Sequence, residues 1–188
     1  TIYNEYFPDL KDSVLENIER EIYLYRQISL SEDKLVFGRR GFDLQQMWGL
    51  YADNGYVVCL VFDKDEIIGS LPDGCVSGAV NYGTDITPCT MTNVHCNNDV
   101  QHYIKGYIKT IFFNKRKEWE HEQEYRILNR FNGNECEEYL PFYNSLKYII
   151  LQNSRTINAN DSILNSYEYN CLSRLLQKDI HILVYNSF

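Results

Sequence analysis

Six cysteines are present (Cys59, Cys75, Cys89, Cys96, Cys136 and Cys171), but no two form a C-x-x-C pair, so the chain has no zinc signature. His95, His102, His121 and His181 are isolated and match no paired ligand spacing, and no metal is expected. The glycines form no phosphate-cradling loop, and no serine sits in a nucleophile-elbow context. Hydrolase triads, P-loop enzymes and Rossmann dehydrogenases are therefore unsupported. There is no signal peptide, and no apolar run approaches the roughly 18 residues of a membrane span. The thiols are read as reduced and the compartment as cytoplasmic, with no membrane partner. The start at Thr1 rather than Met leaves upstream residues open. No repeat, low-complexity tract or Pro/Gly/Ser-rich linker divides the sequence, which predicts a single domain over residues 1–188.

A formal net charge of -8 argues against duplex nucleic acid as a partner, because phosphate contacts need a basic surface. The local basic cluster Lys105–Lys117 can still meet a phosphate. With 188 residues and 44% hydrophobic composition, the chain can bury a sizeable core. Tyrosine alone occupies 16 positions, which suits either a pocket for a flat ring or an ordinary core.

Apolar residues at three- and four-residue intervals predict an amphipathic helix from Leu10 to about Tyr25. Leu35-Val36-Phe37 reads as a short strand ended by Gly38-Arg39-Arg40-Gly41. Asp43 is a reasonable N-cap for a second helix to Tyr51 or Ala52, closed by Asn54-Gly55. The apolar run Tyr56–Phe62 predicts a buried strand, with Cys59 as a small buried hydrophobe. Val76–Tyr82 reads as another strand, Gly83–Asn98 as loop, and Val100 to about Lys115 as a third helix. Tyr148–Leu151 and Ile180–Tyr185 read as strands flanking a helix around Asp161–Gln177, which implies a crossover. The expected class is α+β, a mixed or antiparallel sheet packed with several helices. Residues 1–42 form a helical N-terminal part and 43–188 the main core.

The densest chemistry lies in Trp119-Glu120-His121-Glu122-Gln123-Glu124-Tyr125-Arg126-Ile127, just after the basic patch Lys115-Arg116-Lys117. If extended, this stretch places Glu120, Glu122, Glu124 and Arg126 on one face. Two glutamates beside an arginine can hold ribose hydroxyls and activate an acceptor. As a continued helix, the same letters give a solvated surface pair, Glu122 with Arg126. Helix propensity favours the second form through about Glu122. Trp48 and Tyr51, three apart on the second helix, can stack on a ring or simply fill the core. Arg26 can clamp a diphosphate in bidentate fashion or merely favour a helix C-terminus. Arg39 and Arg40 form a cationic turn, which reads most simply as a solvated loop.

The stretch Asp43–Gly55 followed by Val58-Cys59-Leu60-Val61-Phe62 resembles the D-x-L-x-M-W-x-x-Y-A-D-N-x-x-G-V-C-L-x-F signature of a large bacterial family, a domain of unknown function. Lys115 through Ile127 is similar to that family's second signature, K-x-x-x-W-x-x-E-x-E-Y-R-I. Members of the family look like distant relatives of ADP-ribosyltransferases, which split NAD at the nicotinamide–ribose bond. The resemblance implies a split sheet, an early strand carrying a cation, a serine/threonine strand and a late E-x-E motif. By motif, Glu124 is the glutamate that holds the ribose and stabilises an oxocarbenium-like transition state. Glu122 orients or deprotonates the acceptor, and Arg26 is the early cation. No serine/threonine triplet stands near Val36–Gly38, where the pattern would place it.

Two functional expectations follow. The first is an ADP-ribosyltransferase-like enzyme, a toxin or defence effector, that uses NAD to modify an unknown macromolecular acceptor. Glu124 and Glu122 are its catalytic residues, and Arg26, Trp48, Tyr51 and Arg126 bind the cofactor. The second is a non-catalytic nucleotide- or protein-binding regulatory module, in which the two glutamates are structural partners of Arg126 or nearby lysines.

Overall fold

A computed structural model describes residues 12–35, 41–51, 58–83, 97–131, 142–152, 174 and 180–185. In chain order the elements are α1 (Asp12–Ile22), β1 (Tyr25–Ser31), a 3-10 turn (Gly41–Asp43), α2 (Gln45–Tyr51), β2 (Val58–Phe62), α3 (Lys64–Gly69), β3 (Val76–Ala79) and β4 (Asn81–Gly83). They continue with α4 (Asn97–Phe112), β5 (Asn114–Arg116), a 3-10 helix (Lys117–Glu122), β6 (Glu124–Arg130), a 3-10 turn (Tyr143–Ser145), β7 (Leu146–Gln152) and β8 (His181–Tyr185). The class is α+β, with helices and largely antiparallel sheets and no closed barrel among the described residues. No helix among them is long and apolar enough to cross a membrane. The chain divides into two compact units, residues 1–41 with 73–138, and residues 42–72 with 139–188.

In the first unit, Ile18 and Ile22 lie one turn apart on α1 and meet Val100 and Ile104 of α4. Ile18 and Ile104 are fully buried, and Val14, Leu15, Tyr103, Ile111 and Phe112 pack around them. Burying each such aliphatic side chain is worth about 1.5–3 kcal/mol, which explains why these two amphipathic segments are helical. Tyr25 joins the same cluster, but from β1, because the helix stops at Ile22. The expected continuation of α1 to about Tyr25 is therefore corrected by a turn at Tyr23–Leu24. That turn is fixed by Tyr23 N–H to Glu19 O (2.9 Å) and Leu24 N–H to Glu21 O (3.1 Å).

The sheet order is β1-β6-β3, antiparallel throughout. Register runs from Tyr25 opposite Arg130 to Ser31 opposite Glu124. Pleating thus puts Ser29, Ser31, Glu124 and Arg126 on one face, and Arg26, Ile28, Ile127 and Asn129 on the other. Opposite Arg126 stands Gly78 of β3, where a side chain would meet the Phe113 ring at 3.5 Å. The predicted Val76–Tyr82 strand is broken at Val80, so that β4 pairs in parallel with β5 instead, Tyr82 beside Lys115.

In the second unit the order is β2-β7-β8, with β2 antiparallel and β8 parallel to β7. The parallel pair requires the crossover that the sequence implied. Leu146, Ile149 and Ile180 form a cluster with Phe62. Asp63 caps α3 by accepting from Glu66 N–H (3.0 Å), and Lys147 meets the Glu66 carboxylate (2.8 Å). β2 is not a buried strand: Val58 and Leu60 are exposed and Cys59 is half-buried. Outside the described residues lie Leu10, the Val36–Arg40 segment, Asn54-Gly55, most of the Gly83–Asn98 loop and the Asp161–Gln177 helix apart from Arg174, which is helical. His95, Cys89, Cys96, Cys136 and Cys171 lie outside them too.

Candidate functional site

The glutamate segment is neither a plain strand nor a plain α-helix. Lys117–Glu122 winds as a 3-10 helix, and β6 begins at Glu124. Between them Gln123 takes the left-handed conformation, φ 45° and ψ 49°. A non-glycine residue there costs about 1–2 kcal/mol. Its side chain compensates in part, because Nε2 donates to Glu120 O at 2.6 Å. This kink turns the chain from helix to strand between the two glutamates.

The backbone of Glu124 is pinned on both sides. Its N–H donates to the Tyr82 hydroxyl at 2.7 Å, and its carbonyl accepts from Val80 N–H at 2.9 Å. Across the sheet, the Ser31 hydroxyl donates to Glu122 O (2.7 Å), and Glu32 N–H donates to Gln123 O (2.8 Å). The end of β1 therefore fixes the kink from the other strand.

Both carboxylates are buried, Glu122 at 3% exposure and Glu124 at 6%. Arg126 grips Glu124 with Nε to Oε1 and Nη2 to Oε2, each 2.8 Å, while its Nη1 donates to Phe112 O. Lys115 is paired with Glu122 and lies 3.5 Å from Glu124 Oε2. Its ammonium also stands 4.9 Å from the Trp119 ring centroid. Burial pushes the Glu124 carboxyl up. Hydrogen bonds from Arg126 and Ser29, with the charges of Arg126 and Lys115, outweigh that and hold it below the usual carboxylate range. The Tyr82 phenol is raised by burial and by the Glu124 and Glu122 charges, against the opposing Glu124 N–H and Arg126.

Among the described residues, Glu122, Glu124, Lys115 and Arg126 thus form an ion-paired cluster, with Trp119 at its edge, 38% exposed and stacked on His121. Chemically, such a cluster offers a fixed negative charge at Glu124 and a second carboxylate beside it. Among the described residues, no group of three or more His, Cys, Asp or Glu gathers to hold a metal.

Of the residues singled out in the sequence, the structure brings together Glu122, Glu124 and Arg126. Arg26 is the second residue of β1, but it lies on the opposite face of the sheet from Glu124, opposite Asn129. There it donates to Tyr23 O at 3.1 Å and rests over Phe131 at 5.1 Å. Trp48 and Tyr51 belong to the second unit and differ in exposure: Trp48 is 5% exposed, Tyr51 62%. The Trp48 indole donates to Phe42 O at 2.6 Å, the bond a buried indole requires. Ser29, Ser31 and Tyr82 went unread in the sequence. Alternation along Gln27-Ile28-Ser29-Leu30-Ser31 was the available signal for the two serines.

Fold and cluster together define an α+β protein with an ion-paired carboxylate pair at the start of a central antiparallel strand. Residues 47–127 match the family model described as Protein of unknown function (DUF2971). That span includes Lys115, Glu122, Glu124 and Arg126 and leaves out β1 with Arg26, Ser29 and Ser31. No curated protein and no solved structure matches the chain.

Proposed function

We propose that this protein is an ADP-ribosyltransferase-like enzyme that cleaves NAD and passes ADP-ribose to a macromolecular acceptor, as a toxin or defence effector does. The observation that carries this reading is the preorganised, ionised carboxylate of Glu124. It is buried, gripped by Arg126 and hydrogen-bonded by Ser29. Breaking the bond from ribose C1′ to the pyridinium nitrogen leaves the electron pair on neutral nicotinamide and positive charge on the sugar. A fixed anion in a water-poor site stabilises that charge without reorganising. Glu122 then takes the proton as the acceptor nucleophile adds to C1′.

The pairing of both carboxylates with cations favours a second reading. In it the cluster is structural, and the protein is a nucleotide- or protein-binding module. Nicotinamide release from NAD, compared between wild type and Glu124→Gln at equal folded concentration, separates the two. Glutamate-dependent release is the expected result. No release, with no NAD-induced rise in melting temperature, sinks the enzyme reading.

A further inference from the structure

Positive charge gathers in one stretch of this acidic chain. From Val100 to Lys117 stand Lys105, Lys109, Lys115, Arg116 and Lys117 and not one carboxylate, although acids outnumber bases 26 to 18 overall. Lys115 turns inward to Glu122 and Glu124, but Lys105, Lys109, Arg116 and Lys117 are exposed. Among the described residues, no ion pair engages any of these four. On α4 the packing fixes which way the charges face. Val100 and Ile104 are buried with Ile18 and Ile22 of α1. His102, Lys105 and Lys109, at three- and four-residue spacing, therefore form an exposed stripe on the side away from α1. The one acid of the helix, Asp99, sits in its first turn, where the dipole favours it. At about 1.5 Å per residue the stripe runs about 10 Å, the length of roughly three stacked nucleotides.

Two further features adjoin the stripe. Gly106 is exposed in the interior of α4, and a side chain there would meet nothing within 4 Å. No packing in the chain calls for glycine at that point, yet glycine weakens a helix relative to alanine. What it gives is close approach to the helix backbone. Beside it Tyr107 is 41% exposed and stacked on Tyr103, with ring centroids 4.4 Å apart. Cations and an exposed aromatic ring thus border a bare patch of helix.

We infer that the exposed face of α4 binds single-stranded nucleic acid: Lys105 and Lys109 hold backbone phosphates, Gly106 lets the strand lie close, and Tyr107 stacks on a base. Charge complementarity selects a polyanion, and the aromatic ring selects among polyanions. A duplex hides its base faces, and an acidic peptide or an anionic lipid surface would use the lysines while leaving Tyr107 without a flat partner. Arg116 and Lys117 carry the positive run past the end of the helix. This binding does not depend on the proposed ADP-ribosyl transfer.

Fluorescence anisotropy with a short labelled oligo-dT strand, on the whole chain at about 50 mM salt, tests this. Lys105→Ala/Lys109→Ala is expected to weaken binding about tenfold or more and to lower the salt slope by about 1.4, two phosphates at about 0.7 each. Lys105→Arg/Lys109→Arg is expected to keep both. Tyr107→Ala, at equal folded concentration, should weaken binding with the salt slope unchanged, because stacking carries no charge. Gly106→Leu should also weaken it, whereas Gly106→Ala should raise the melting temperature, alanine being the better helix former. No binding of the strand by wild type, or binding that the double alanine variant leaves unchanged, overturns the inference. So does tighter binding to the corresponding duplex, to polyglutamate or to phosphatidylserine vesicles. An unchanged affinity in Tyr107→Ala would reduce the face to a general anion surface and overturn the single-strand assignment. A lower melting temperature in Gly106→Ala would make Gly106 a packing residue and overturn its part in binding.

Discussion

Arg126 and Glu124 are joined by two parallel hydrogen bonds of 2.8 Å, a fork closed between residues two apart on the same face of one strand. Both side chains are largely buried, so neither charge has ready access to water. Removing Arg126 alone leaves a buried carboxylate without its main partner, a loss of about 3–5 kcal/mol. Removing both costs less than the sum of the single losses, with a coupling of about 1–3 kcal/mol. Urea unfolding of wild type, Arg126→Ala, Glu124→Ala and the double variant measures this. Additive losses would show that the fork does not couple the two residues. Arg126→Lys is expected to fall between wild type and Arg126→Ala, because an ammonium cannot reproduce the fork.

Acid should weaken the fold through the same carboxylate. Glu124 titrates below its usual value of 4.5 when folded, held there by Arg126, Ser29 and Lys115 against the opposing effect of burial. The native state therefore favours ionised Glu124. That contribution is fully present above the unfolded value, and it disappears as pH falls through the lower, folded value. Melting temperatures of wild type and Glu124→Gln are expected to differ most above the unfolded value and to converge as pH falls through the lower, folded value. A gap that stays constant across this range would show that Glu124 contributes nothing pH-dependent.

The two long helices of the first unit were legible because their apolar residues recur at helical spacing and then meet: Ile18 and Ile22 with Val100 and Ile104. The stretch that matches the family model was legible through Trp48 and the Lys115–Ile127 segment. β1 was not, because Tyr25 continues the three-residue rhythm of Ile22 past the real helix end. Its extended state comes from pairing with β6, about a hundred positions downstream in the chain. β2 was read as buried because an apolar run does not reveal that Val58 and Leu60 face outward. The switch at Gln123 had no periodic signature, since a six-residue 3-10 helix and one left-handed residue are too short to set up a recurring apolar pattern. The cluster itself was half legible. Glu122, Glu124 and Arg126 stood out by spacing, whereas Ser29 and Tyr82 reach Glu124 from other strands, which no local window contains.

Arg26 and Ser29 offer the sharpest test of which residues serve the cluster. They lie three apart on β1, so they point to opposite faces: Ser29 stands opposite Arg126, and Arg26 opposite Asn129. Ser29 hydrogen-bonds Glu124 and helps hold its charge, whereas Arg26 is exposed and engages Tyr23 O and Phe131. Arg26→Ala is therefore expected to change stability by no more than about 0.5 kcal/mol and to leave nicotinamide release near wild type. Ser29→Ala removes an exposed hydroxyl that helps hold the Glu124 charge, so it is expected to cost no more than about 0.5–1.5 kcal/mol and to slow release through the weakened hold on Glu124. Release assays on the two variants, with urea unfolding as the stability control, decide between the faces. The opposite order, with Arg26→Ala inactive and Ser29→Ala active, would move the nucleotide to the far face of the sheet and detach it from Glu124.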